Sequence, residues 1–215
     1  MDCNAGPASD KQGFAALVSE LRTEFTPRGW LLSSAVSPSK TVIDNAYDVP
    51  SLSRDFDWIG VMTYDYHGHW DKKTGHVAPL SVHSEADVVY FNTNYTLNYW
   101  IKLGADPAKL ILGVPLYGQS FTLENPNNNG LNAPAKGTGQ AGEFTRQAGF
   151  LAYYEVRFVA LRLRVFNQFC LSIQMVNRFA NKSRIVDGQL CKILRRPWDR
   201  TPIVVTNGFH LTMWT

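Results

Sequence analysis

Three short apolar runs, separated by segments with helical periodicity, constrain the fold of this chain more than any other sequence feature. The runs span residues 30–37, 58–64 and 110–117. Runs of this length that are apolar throughout are typical of strands buried on both faces, as in a parallel sheet. Because parallel strands need a crossover connection between them, the alternation predicts βα units and an α/β fold.

The segments between these runs predict two main helices and one irregular stretch. Residues 9–25 predict the first helix, because apolar side chains recur on one face at helical spacing. Residues 83–103 predict the second, which ends at Gly104. We expect a loop and a short helix near residues 49–52, and a long loop or small inserted subdomain at residues 121–142.

Composition indicates a globular chain and argues against several classes of partner. The 215 residues are 45% hydrophobic and 18% charged, which is enough for a packed core. The net charge of +3 comes without a basic stripe interleaved with aromatics, so no nucleic-acid partner is expected. No apolar run approaches a membrane span, and the first residues lack the apolar core of a signal peptide.

The cysteines give no sign of a metal site. Cys3, Cys170 and Cys191 are an odd number without metal-ligand spacing. Either one thiol is free or its partner lies outside the chain, and the sequence alone leaves this open. We expect neither a metal nor a cofactor.

Polar side chains follow the second and third apolar runs, where the carboxyl ends of parallel strands place a site in a barrel of βα units. Tyr64 ends one run and Asp65 follows it, and Tyr117 ends the next run, two residues before Gln119. Two successive extended residues point to opposite sides, so a site using both Tyr64 and Asp65 needs a bend. Gly68 is expected to give the loop that freedom. The alternative is a core tyrosine followed by a loop-capping aspartate.

Four stretches of residues 1–156 resemble, in order and at the same spacing, signatures of glycoside hydrolase family 18 chitinases, insect-type chitinases above all. They match the loop and helix after the fourth strand, the sixth strand, the seventh strand and the insertion that follows it. In this chain the stretches are residues 3–14, 62–70 and 112–123, and residues 142–145 together with 149–156. One such motif is weak evidence, whereas four in register identify the chain as a suspected member.

The resemblance implies a fold, a reaction and a location. The family fold is a (β/α)8 TIM barrel, of which residues 1–156 would form a partial catalytic domain. That domain would contain about strands 5–7 with an inserted α+β segment, and strands 1–4 and 8 would be missing. The family hydrolyses β-1,4-N-acetylglucosamine linkages in chitin: the substrate's acetamido oxygen attacks the anomeric carbon, and a Glu protonates the leaving oxygen. Chitin or N-acetylglucosamine oligomers are the implied partners, and the implied location is extracellular.

The resemblance also implies supporting catalytic roles for two residues and sugar-binding roles for four. Tyr64 would donate its hydroxyl to the acetamido group and hold that internal nucleophile in place. Asp65 would hydrogen-bond the sugars on either side of the scissile bond. The implied sugar-binding residues are Met62, Trp70, Tyr117 and Gln119. Trp70 would offer a stacking face, and Gln119 stands where many relatives carry Arg, so it brings no charge.

The family's general acid lies in an Asp-x-x-Asp-x-Asp-x-Glu motif, and this spacing occurs nowhere in the sequence. His67, His69 and His76 do not replace it, because loop histidines without an activated partner are usually solvent groups. We therefore expect a chitinase-family fragment that is inactive as it stands. The alternative is a chitin-binding, lectin-like relative that keeps the cleft and has lost the acid.

Residues 157–215 depart from the family pattern. In a shifted reading frame, the genetic code permits Gln-Trp-Val-Ser-Phe-Asp-Asp after Trp198, which resembles the segment before the family's eighth strand. Val156 and Arg157 can be encoded as GTGAGA, a plausible splice donor. We therefore predict an aberrant tail from a retained intron and a shifted frame, with a genuine lineage-specific tail as the alternative.

Overall fold

The computed structural model describes residues 6–83 and 87–156. The predicted tail and all three cysteines lie outside these ranges. The described residues fall into two compact units. One, here called the sheet unit, contains residues 6–62 and 97–113; the other, here called the hairpin unit, contains residues 63–83, 87–96 and 114–156.

The sheet unit is built on a three-stranded parallel sheet, which confirms the predicted α/β pattern. Its strands, in spatial order, are β1 Ser33–Val36, β2 Trp58–Val61 and β3 Leu110–Leu112. Ser33 pairs with Trp58 and Ile59 pairs with Leu110, so the register is continuous across the sheet. The prediction that the third strand extends to residue 117 is wrong, since Pro115 has no N–H to give to a ladder.

Four α-helices lie in the described ranges, and they test the helices predicted from hydrophobic periodicity. They are α1 Ala8–Phe25, α2 Lys40–Ala46, α3 Val49–Asp55 and α4 Thr93–Lys102. α1 and α3 confirm their predictions. α4 starts at Thr93 and not at residue 83, because the Asn92 side chain accepts a hydrogen bond from the Tyr95 N–H (2.8 Å) and so caps the helix there.

Apolar side chains from the sheet and the helices form the core of the sheet unit. Val36, Ile59 and Val61 of the strands are fully buried, as are Leu52 of α3 and Trp100 of α4. Alternate residues of β2 thus point into this core, and their burial fixes the register of the strand up to its end at Val61. Burial of such side chains stabilises a fold by about 25 cal/mol per Å² of apolar area.

The hairpin unit holds two antiparallel strand pairs, one of which lies within residues 121–142, where a long loop or a small inserted subdomain was expected. The strands are β4 Tyr117–Gln119, β5 Phe121–Leu123, β6 Ala135–Thr138 and β7 Phe150–Ala152. β4 pairs with β7, and β5 pairs with β6. The β4–β7 pair sets Gln119 directly opposite Phe150. None of the helices in the described ranges is both long and apolar enough to traverse a bilayer.

Candidate functional site

Asp65 makes the bend that turns the chain after β2. Its backbone is left-handed, with φ of 58°, a region that Asp tolerates better than most residues. Gly68, in contrast, is extended (φ −164°, ψ −170°), so the prediction that Gly68 supplies the bend is wrong. Because of the bend at Asp65, both Tyr64 and Asp65 contact Tyr117. The ring centroids of Tyr64 and Tyr117 are 6.2 Å apart, and the Asp65 carboxylate accepts a hydrogen bond from the Tyr117 hydroxyl.

The Asp65 carboxylate is held by two neutral donors from β4. The Tyr117 hydroxyl donates to Asp65 Oδ1 at 2.6 Å, and Gln119 Nε2 approaches the same oxygen at 3.5 Å. Burial, followed by the bond to the Asp65 carboxylate, raises the pKa of the Tyr117 phenol above its ordinary value of 10.0. The phenol therefore remains a protonated donor at neutral pH. Both donors contact Oδ1, so Asp65 Oδ2 is the second acceptor of the carboxylate.

Three aromatic rings form a row beside this carboxylate. Tyr64 meets Tyr117 edge-to-face at an interplanar angle of 79°, and Phe150 stacks on Tyr117 with centroids 4.5 Å apart. All three side chains are half-buried, so Tyr64 is not a buried core tyrosine. Phe150 did not emerge from the sequence as a site residue; its signal was its position in the family-like insertion, one strand away from Tyr117.

Trp70 lies on a tight 3-10 turn, His69–Asp71. Its indole is 39% exposed and meets the His69 ring edge-to-face at 5.3 Å. Asp71 Oδ2 closes the turn by accepting the Gly68 N–H at 3.3 Å. Trp70 is therefore a partly exposed aromatic residue on a turn that the Asp71 side chain closes.

The loop histidines differ in their surroundings, and the expectation of solvent groups is wrong for His67. Its side chain is buried, with Nδ1 2.9 Å from Asp71 Oδ2 and its ring 5.6 Å from that of Phe91. His69 is exposed, as expected. His76 is half-buried, and burial together with the neighbouring His83 lowers its pKa. Asp71, four residues after His67, was the available signal of a partner.

Met62 belongs to the sheet unit, whereas the other predicted site residues belong to the hairpin unit. It follows β2 in the sheet unit, is half-buried, and donates its N–H to the Val36 carbonyl at 3.0 Å. Its place on the floor of a sugar cleft stays a prediction. Among the described residues, no cluster of three or more His, Cys, Asp or Glu side chains is arranged to hold a metal ion.

The sequence profile of the glycosyl hydrolases family 18 matches residues 1–188. The chain belongs to this family. Probable chitinase 10 of Drosophila melanogaster is 64% identical over 155 residues, which are 72% of this chain and 7% of that protein. Human chitinase-3-like protein 2 is 40% identical over 154 residues, 66% of this chain and 39% of that protein.

Solved structures agree with this family assignment. Catalytic domain 2 of the Ostrinia furnacalis group II chitinase matches with a TM-score of 0.70 and 59% identity, covering 73% of this chain and 41% of that one. Human YKL-39, described as a pseudo-chitinase with retained chitooligosaccharide binding, matches at 0.68 and 36% identity, covering 72% and 45%. This family-18 chain therefore spans less than half the length of these relatives.

Family membership implies the (β/α)8 barrel as the parent fold of this family-18 chain. The described residues form a mixed α/β arrangement with three parallel strands, and they do not close a barrel. The assignment of β1, β2 and β3 to barrel strands 5–7 stays a prediction, as does the domain boundary after Val156.

Proposed function

We propose that this chain contributes one part of a chitooligosaccharide-binding cleft, and that alone it binds such oligomers without hydrolysing them. The observation that carries the proposal is the cluster in which the Tyr117 hydroxyl holds the Asp65 carboxylate 2.6 Å away while the Tyr64 ring stands beside it. Two solved relatives support the ligand class. A mutant of the Ostrinia domain was solved with (NAG)5, and YKL-39 with GlcNAc4.

Each side chain of the cluster has a distinct task in this proposal. Tyr64 donates its hydroxyl to the acetamido oxygen of a bound sugar and fixes the group that acts as internal nucleophile. Asp65 accepts hydrogen bonds from sugar hydroxyl or amide groups through Oδ2, since Tyr117 and Gln119 both approach Oδ1. Trp70 stacks on a further sugar ring with its exposed face. Tyr117 lines the floor.

Gln119 sets the electrostatics of the cluster. A guanidinium here would form a charge-assisted pair with Asp65, whereas the Gln119 amide makes one contact at 3.5 Å. The contacts from Tyr117 and Gln119 therefore bring no positive charge to the carboxyl group, and its Oδ2 can accept from a ligand. This favours sugar amide and hydroxyl donors and gives no attraction to anionic sugars.

The proposed lack of hydrolysis follows from the absent Asp-x-x-Asp-x-Asp-x-Glu motif. General acid catalysis contributes about a hundredfold to ten-thousandfold in rate. The purified chain is therefore expected to release no fluorophore from a chitobioside substrate above blank, while calorimetry detects binding of chitotetraose or chitopentaose. Turnover comparable to a complete chitinase would contradict the first expectation, and absence of binding at millimolar oligosaccharide would contradict the second.

A lectin-like relative is the second candidate function, and the likeness to YKL-39 favours it specifically. The two candidates differ in the gene upstream of this chain. A Glu at the end of the preceding strand indicates an enzyme, whereas Gln or Leu there indicates a binding protein. Genomic sequence on both sides decides between them, and a secretory signal upstream would support the extracellular location that we propose for either.

A further inference from the structure

The Trp70 indole lies against the backbone of Gly68, two residues earlier in the chain. A Cβ atom placed on Gly68 would come within 2.3 Å of both Cη2 and Cζ3 of that indole, and within 2.7 Å of Cζ2. These distances are far below van der Waals contact between carbon atoms. The six-membered ring of Trp70 therefore occupies the space that any side chain at position 68 would need.

The backbone of Gly68 gives no other reason for a glycine. Its φ of −164° and ψ of −170° are extended values that any residue adopts. The requirement for glycine at this position is therefore one of space alone, and it comes from the indole.

The turn itself is fixed, so an added side chain displaces the ring and not the backbone. Asp71 Oδ2 accepts from the Gly68 N–H at 3.3 Å and bonds the buried His67 ring at 2.9 Å, and the Asp71 N–H donates to the Gly68 carbonyl at 3.1 Å. The His69 ring meets the indole edge-to-face at 5.3 Å. The ring therefore contacts both Gly68 and His69, while Trp70 as a whole remains 39% exposed.

We propose that Gly68 is the positioning residue for the sugar-stacking face of Trp70. By having no side chain, Gly68 lets the indole fold back onto the backbone, which fixes the direction in which its open face points. This inference rests on the proposed function only in taking a sugar as the ligand of Trp70. The ring placement stands on the described geometry.

The first experiment measures ring position without sugar. The chain is labelled with 5-fluorotryptophan, and Trp70→Phe assigns the Trp70 signal in the 19F NMR spectrum. Gly68→Ala is expected to move that signal while leaving those of Trp58 and Trp100 in place. The matched control is Gly137→Ala, since nothing lies within 4 Å of a Cβ at that glycine. An unmoved Trp70 signal in Gly68→Ala would overturn the inference.

The second experiment measures chitopentaose binding by calorimetry. Gly68→Ala is expected to weaken binding by roughly fivefold to tenfold, as Trp70→Ala does, because one aromatic contact is worth about that much. Gly137→Ala stays within about twofold of the wild type. Adding Gly68→Ala to Trp70→Ala is expected to have no further effect, because the indole is already gone. Fully additive losses would show that Gly68 acts independently of the ring, and the inference would fail.

Two further outcomes separate this inference from the proposed function. If the wild-type chain binds no chitopentaose, sugar binding fails while the NMR result still decides ring placement. If Gly68→Ala does not fold, the Gly68→Ala/Trp70→Ala double variant decides: recovery of the folded state supports the clash with the indole, and continued unfolding contradicts it.

Discussion

At the scale of single residues, the site depends on one hydrogen bond between strand β4 and the loop that follows β2. Tyr117 on β4 holds the carboxylate of Asp65, whose left-handed backbone brings it within reach. Hydrogen bonds to charged groups contribute about 1.5–3 kcal/mol to stability, roughly twice as much as bonds between neutral groups. The bond therefore orders the site and stabilises the loop after β2 at the same time.

Replacing Tyr117 with Phe removes this donor and leaves the ring stacked on Phe150. We expect a loss of about 1.5–3 kcal/mol in the free energy of unfolding, measured by urea titration, since the half-buried carboxylate loses its short bond. Chitopentaose binding is expected to weaken as well, because Asp65 is no longer oriented. Tyr154→Phe is the control, as Tyr154 is 56% exposed. Equal stability of the two variants would contradict this account of Asp65.

Glu155 gives the hairpin unit a pH dependence. Burial opposes ionisation of its carboxyl, but backbone N–H groups of Thr145, Phe144 and Ala152 outweigh it and lower the pKa from 4.5 to about 2. Because the folded pKa lies below the unfolded value, the ionised carboxylate stabilises the fold fully above pH 4.5. That contribution is lost as the pH falls towards about 2.

The variant Glu155→Gln tests this dependence. We expect its melting temperature to be lower than that of the wild type at pH 7, and the difference to shrink between pH 4.5 and about 2, where the wild-type carboxyl takes up a proton. Differential scanning calorimetry across this range measures the difference. The exposed Glu143 supplies the control variant Glu143→Gln, and a difference that is independent of pH would argue against an ionised Glu155.

At the scale of elements, α3 illustrates how a cap fixes the start of a short helix. Asp48 accepts hydrogen bonds from the N–H and hydroxyl of Ser51 at 3.4 and 3.0 Å. Asp48→Ala is therefore expected to lower the free energy of unfolding by about 1 kcal/mol. Ser39 precedes α2 without a side-chain cap bond, so Ser39→Ala is the control and should change stability much less. Chemical denaturation compares them, and equal losses would contradict the capping role.

The sequence predicted elements well where periodicity and burial agree. α1 has a clear pattern and is confirmed, and the central strand β2 starts at Trp58 as predicted but ends at Val61 and not at residue 64. α2 was missed because Thr41, Val42 and Ile43 are β-branched and disfavour helix, whereas burial of Ile43 and the Lys40–Asp44 ion pair at 2.5 Å stabilise it in the fold. Local helix propensity does not include the stabilisation that tertiary contacts of this kind provide.

The candidate site was predictable in its residues and not in its geometry. The family-like motifs drew attention to Tyr64, Asp65 and Tyr117, which the structure brings together. The bend at Asp65 was assigned to Gly68, because glycine is the usual signal of a positive φ and a left-handed aspartate leaves no signal in sequence. The packing of Trp70 onto Gly68 was equally invisible, since it depends on a side-chain rotamer.

At the scale of the whole molecule, the described sheet has two strands with an open side, β1 and β3. Ile111 on β3 is 40% exposed, and Leu31 beside β1 is 66% exposed. Open apolar edges are templates for pairing with another chain. We expect the purified chain to self-associate with rising concentration.

A charged edge residue tests this expectation. Ile111→Lys is expected to slow the growth of light scattering at a fixed concentration, with little change in melting temperature, since the side chain is already partly exposed. Leu17→Lys on α1 is the matched control, because Leu17 is 51% exposed but lies on a helix. Equal slowing by both variants would point to general solubility and against edge pairing.

The pairing of β4 with β7 restricts where along the chain residues can be inserted or deleted. Gln119 and Phe150 face each other across this ladder, and Phe150 stacks on Tyr117 from there. Neighbouring residues of a strand point to opposite faces, so a slip of one residue would exchange Phe150 for Leu151 and remove the ring from Tyr117. Insertions or deletions between residues 124 and 134, whether even or odd in number, therefore leave the aromatic row unchanged, provided that β7 still pairs with β4 at the same residues. Inserting or deleting a single residue within β7 itself would shift this register and disturb Tyr117, which holds Asp65.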